Sequence, residues 1–172
     1  MVKLIGSLLL VGAGSWWGYT VSNRFISRCE LLKNWLSILE MLKTEIYYST
    51  SFLPQIFMKL AKFISREELK QPIAKLAEAT GYGSEEDLNE IWEHFLQEPV
   101  FCSLKQSDLL ILRELGNYLG RTDRLNQLER IDYCREKLKL CLAEAEAECL
   151  KNVNLYRYLG FALGSLVVLL LV

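Results

Sequence analysis

Four sets of residues in this 172-residue chain have the types and spacing to do chemistry. Gly12-x-Gly14-x-x-x-Gly18 follows an apolar run in LLLVGAGSWWG, and glycines so placed can let a backbone approach the pyrophosphate of a dinucleotide. His94 lies beside Glu90 and Glu93, a grouping that could exchange protons or ligate a metal. Five cysteines, Cys29, Cys102, Cys134, Cys141 and Cys149, could supply thiolates. In LRELGNYLGRTDRLNQLERI, Gly116 and Gly120 precede Arg121 and Asp123, so a phosphate-gripping loop is one reading, with a helix corner or a docking surface as the others.

The chemical readings need elements that the chain does not offer. A dinucleotide turn requires a strand before it, a helix after it and further strand-helix alternation, and no later stretch reads as strand. It stands as the alternative function, an enzyme using the Gly12, Gly14 and Gly18 turn. His94 is the single histidine, with no nucleophile or ligand set nearby in sequence, so it is expected at the surface or the edge of a core. The cysteines form no C-x-x-C pair and are odd in number, which suits a reducing compartment and small apolar packing residues. A phosphate loop would need a denser glycine run with a lysine. LGRTD therefore reads as a corner: Gly120 ends one helix in left-handed conformation, and Thr122 or Asp123 caps the next. Gly116 would admit a closely crossing helix or form a docking notch. No catalytic residue, metal, cofactor or small-molecule substrate is expected.

The distribution of charge sets the elements around these residues. All 21 acidic residues lie between Glu30 and Glu148, and residues 25 to 150 hold 16 basic residues against them, a net of −5. Nucleic acid is a poor partner for such a surface. Leu4 to Val21 carries no charge for 18 residues, about 27 Å as helix, with Trp16, Trp17 and Tyr19 near its far end. Lys3 and Gly12-Ala13-Gly14 would also fit a secretory signal peptide. A second apolar run, Tyr158 to Val172, favours the membrane helix; with Val153 to Arg157 it reaches about 30 Å if Arg157 snorkels. Arg24, Arg28 and Lys33 after the first run, and Lys137, Lys139 and Lys151 before the second, place the middle in the cytoplasm. The expected division is a transmembrane helix over 1–23, a cytoplasmic helical bundle over 24–152 and a second transmembrane helix over 153–172. Gly14-x-x-x-Gly18 and Gly160-x-x-x-Gly164 are small-residue pairs that would let these helices pack.

The middle reads as all-α, an antiparallel bundle that brings the chain to about six helices. Leu31, Trp35, Ile38, Leu42 and Ile46 step by three and four, a stripe that should stop near residues 48 to 51. Pro54 to Ile64 repeats it with Ile56, Phe57, Leu60, Phe63 and Ile64 inward. Ser65-x-x-Glu68 has the form of a capping box, Pro72 should restart or kink the helix, and Gly81 and Gly83 should close it. Ser84 would cap a helix with Glu85, Glu86, Asp87 and Glu90 in its first turns, facing inward through Leu88, Ile91, Trp92, Phe95 and Leu96 until Pro99. A helix from Ser107 to Leu119 and a last one from Asp123, seamed by Ile131, Cys134, Leu138, Cys141 and Ala145, complete the set.

With LEMLKTEIYYSTSFLPQIFMKLA, LKQSDLLILRELGNYLGRTDRLNQLERI and an apolar tail beginning LG, the chain resembles the stage III sporulation protein AB family of endospore-forming bacteria. Leu119-Gly120-Arg121 and Asp123 match that family's pattern. The resemblance implies a structural membrane component of the channel-like complex joining mother cell and forespore. It also implies a cytosolic domain similar to the F-type platform domain of type II secretion and type IV pilus systems. The partners implied are other channel subunits, the secretion-type ATPase among them, and membrane lipid. The location implied is the mother-cell membrane around the forespore. Gly116, Gly120, Arg121, Asp123, Glu86, Asp87 and Glu90 are the candidate contact residues.

Overall fold

The one-sided stripe from Leu31 to Ile46 and the seam from Ile131 to Leu138 dictate two long helices with one apolar side each, and shorter amphipathic helices complete the cover. The computed structural model describes residues 2–48, 52–64, 66–81 and 87–171, without the side chains of 2–8, 10, 164 and 169–171. Among the described residues there are six α-helices: α1 (Val2–Tyr48), α2 (Leu53–Phe63), α3 (Glu67–Ala79), α4 (Leu88–Leu96), α5 (Gln106–Gly116) and α6 (Arg124–Leu171). The chain is all-α, as its periodicity predicts, and it forms two units, one from residues 31–142 and one from residues 1–30 with 143–172.

In the 31–142 unit, Trp35 occupies the centre. Its ring lies 6.2 Å from that of Trp92, 6.0 Å from Phe95 and 6.0 Å from Phe101. Each such aromatic contact adds about 0.5–1.5 kcal/mol beyond area burial, so this cluster fixes α1, α4 and the segment after α4 together. The short helices α2 and α3 pack mainly on each other, with Ile56, Leu60, Leu69 and Ile73 buried. Lys43 bridges both carboxylate oxygens of Asp132 at 2.8 Å, and Arg135 pairs with Glu40, so α1 and α6 run antiparallel here.

Local expectations are met at several ends. α1 stops at Tyr48, Pro54 sits in the first turn of α2, and Gly120 has φ 72. Others are corrected. Pro72 does not restart the helix: α3 runs through it with the ring buried. The carbonyl deprived of its partner belongs to Glu68, an exposed first-turn residue that water can serve. α3 closes at Thr80, whose hydroxyl donates to the Leu76 carbonyl at 2.8 Å. Phe63 is 69% exposed, because Ile56, Leu60 and Ile64 centre the buried face of α2 and leave it at the edge. Asp87, not Ser84, caps α4, accepting from the Asn89 amide at 3.3 Å. α5 ends at Gly116 rather than Leu119, and a 3₁₀ turn over Pro99–Ser103 follows α4. Ser65, Gly83, Ser84, Glu85 and Glu86 lie outside the described residues.

No helix among the described residues is long and apolar enough to cross a membrane. A third of each apolar run, residues 4–8 and 10 in the first and 164 and 169–172 in the second, lies outside the described side chains.

Candidate functional site

The corner between α5 and α6 is built from its backbone outward. Gly120 takes the left-handed conformation, and its amide donates to the Gln127 side-chain oxygen at 3.4 Å. Gln127 in turn donates to the Thr122 carbonyl at 2.7 Å, which folds the loop back on the new helix. Asp123 is the residue before α6 and accepts from the Asn126 amide at 3.3 Å, the geometry of an N-cap. The Asn126 side chain also donates to Asp123 and holds its carboxyl below the ordinary range.

Arg121 reaches from this corner to the start of α4, where it pairs with Asp87. Asp87 thereby serves two partners, the Arg121 guanidinium and the Asn89 amide. The structure so brings Gly120, Arg121, Asp123 and Asp87 to one exposed region. Gly116 stands apart, buried one turn before: a Cβ there would collide with the Trp92 ring. Glu90 is exposed without a partner among the described residues, Glu93 pairs with Arg113 at 2.5 Å, and Glu86 lies outside the described residues.

In the unit of residues 1–30 with 143–172, Gly18 meets Gly160. A Cβ on Gly18 would lie 2.5 Å from the Tyr156 carbonyl oxygen, and one on Gly160 would lie 2.5 Å from the Gly14 oxygen. Phe25 stacks on Tyr156 at 5.7 Å, and Arg28, 3% exposed, donates to Glu148 at 3.0 Å with Glu144 at 3.8 Å. These pairs run antiparallel. Gly12, Gly14 and Gly18 all lie inside α1, which overturns the dinucleotide reading, since no strand precedes them. The side-chain surroundings of Gly164 are not among those described.

Sequence reasoning missed Ser22, which is fully buried, and its bond from the Arg157 Nε at 3.3 Å. A hydroxyl inside a candidate apolar helix was the available signal. Glu144 and Glu148, one turn apart, were the signal for the buried Arg28.

His94 is exposed and borders a shallow groove with Pro72 and the Lys75–Glu98 pair. Cys134 is buried, its thiol 3.7 Å from the Ile111 carbonyl; burial first, and Glu114 second, push its pKa up to about 11. Among the described residues no group of three or more His, Cys, Asp or Glu could hold a metal ion.

The family model for stage III sporulation protein AB matches residues 3–172. The chain belongs to that family. It is 29% identical over 182 residues to the stage III sporulation protein AB of Bacillus subtilis (strain 168), covering 99% of each chain. No solved structure matches it. Membership makes this a sporulation protein.

Proposed function

We propose that the chain is a structural membrane component of the mother cell–forespore channel complex. In this reading residues 1–23 and 153–172 anchor it, residues 24–152 stand in the mother-cell cytoplasm, and the bundle docks neighbouring subunits, a secretion-type ATPase among them. It performs no catalysis of its own. Family membership supports the sporulation setting.

The observation that carries the anchoring is the surface of the terminal helices. Trp16 is 75% exposed, Tyr158 75% and Phe161 58%, with Leu163 and Leu166 alongside, and no carboxylate stands among them. Apolar exposure on that scale marks an interaction surface, and lipid with its headgroups matches both the aliphatic and the aromatic members. The Arg121–Asp87 corner supports docking, since it is exposed and charged.

Alkaline carbonate extraction of membranes tests the anchor, and full release of the chain would sink it. Labelling of exposed Cys102 by an impermeant thiol reagent tests the side, with modification expected only after permeabilisation. For docking, crosslinks formed in intact membranes should join the bundle to channel subunits identified by mass, and Arg121→Glu should reduce them. Undiminished crosslinking would remove the corner from the interface.

A further inference from the structure

Charge in the terminal helix pair is compensated unevenly. Arg28 is enclosed with Glu144 and Glu148. No aspartate or glutamate occurs in the sequence before Glu30 or after Glu148. Arg157 is exposed and has no carboxylate partner among the described residues.

Unlike a loose surface arginine, Arg157 is held in place. Its Nε donates to the Ser22 hydroxyl oxygen at 3.3 Å, and that hydroxyl donates to the Tyr19 carbonyl at 2.8 Å, so its lone pair is turned to the arginine. The guanidinium carbon lies 5.6 Å from the centroid of the Tyr19 ring. With Nε and one face engaged, the two terminal nitrogens remain as a fork, and a fork of that shape matches two oxygens of a phosphate. Around it the surface is amphipathic. Exposed Tyr19 meets the cation, and exposed Trp16 and Phe161 stand one helical turn from Tyr19 and Arg157 along their own helices. A ligand that fits must place an anion on the fork and hydrocarbon against the adjoining side chains.

We propose that Arg157, oriented by Ser22 and Tyr19, binds the phosphate of an anionic phospholipid. The proposal rests on the membrane-anchor reading. Arg157 contacts the headgroup, and Ser22 is its positioning residue. An acidic protein segment would match the cation alone and leave the aromatic and aliphatic surroundings uncovered.

The test uses the full chain reconstituted in bilayers in which either phosphatidylglycerol or phosphatidylcholine carries brominated acyl chains. Bromine quenches tryptophan on contact, and exposed Trp16 and Trp17 report the lipid beside this site, while Trp35 and Trp92 are buried. The expected result is about fivefold preferential association of phosphatidylglycerol, the factor for one basic group near an anionic surface. Arg157→Gln should abolish most of that preference, Arg157→Lys should retain part of it, and Lys62→Gln in the other unit should leave it unchanged. Equal quenching by the two lipids, or an unaltered preference in Arg157→Gln, overturns the proposal and leaves the anchor standing. Absence of quenching by either lipid overturns the anchor itself. Quenching by brominated phosphatidylcholine confirms that each variant has inserted.

Discussion

The indole nitrogen of Trp92 donates to the carbonyl of Leu112 at 2.8 Å, and its ring fills the space that a methyl group at Gly116 would need. The absence of a side chain on α5 is thus what seats an aromatic residue of α4. Gly116→Ala should destabilise the bundle by about 1–3 kcal/mol, the usual cost of overpacking, despite alanine's better helix propensity. Denaturant melts of the solubilised chain followed by tryptophan fluorescence would read this, and a neutral or stabilising outcome would show that the seat is loose.

Gly120 is constrained by its backbone angle. With φ 72 and the Leu53 side chain 2.5 Å from where a Cβ would sit, Gly120→Ala should cost about 1–2 kcal/mol from conformation alone, and more from crowding. Gly120→Asn should cost less than alanine in conformation, since asparagine enters the left-handed region more readily. The same melts check the order.

Arg121 and Asp87 are both substantially exposed, so their attraction is screened. A double-mutant cycle should give a coupling below about 1 kcal/mol. Asp87→Ala should nevertheless destabilise more than Arg121→Ala, because it also removes the cap of α4, typically about 1 kcal/mol. A coupling well above that range would make the corner a stability element rather than a platform.

Cys134 should react slowly. Its thiol is buried and its pKa lies near 11, above the ordinary 9.0, so the folded state holds the proton more tightly than the unfolded state does. The resulting stability is complete below about pH 9 and is lost as pH rises toward 11. Alkylation kinetics at neutral pH should show exposed Cys102 modified far ahead of Cys134, and Cys134→Ala should lessen the loss of stability above pH 9. Comparable rates at the two cysteines would contradict the packing.

Asp123 titrates in the opposite sense. Its carboxyl is held low by Asn126, so its contribution is present above the ordinary carboxylate range and fades as the pH falls. Asp123→Asn should keep much of the cap and lose that acid dependence, as paired melts at neutral and acid pH would show.

What could be read beforehand followed from locality. Gly120 and Asp123 obey rules that involve a few neighbouring residues, and the stripes of Trp35 and Ile131 follow from helical period alone. Pro72 was misread because its penalty depends on where the lost carbonyl lies, and Phe63 because an edge position depends on which neighbour completes the face. The placement of Arg28 beside Glu148, and of Arg157 beside Ser22, joins residues more than a hundred positions apart. No local pattern sets that register; it comes from how two helix surfaces fit.

The fit of Gly18 to Gly160 has a mechanical consequence. A side chain at either position would enter a gap too narrow for a methyl group. The two helices are therefore hooked backbone to backbone at this point, and a wedge no larger than a methyl group would prise them apart there.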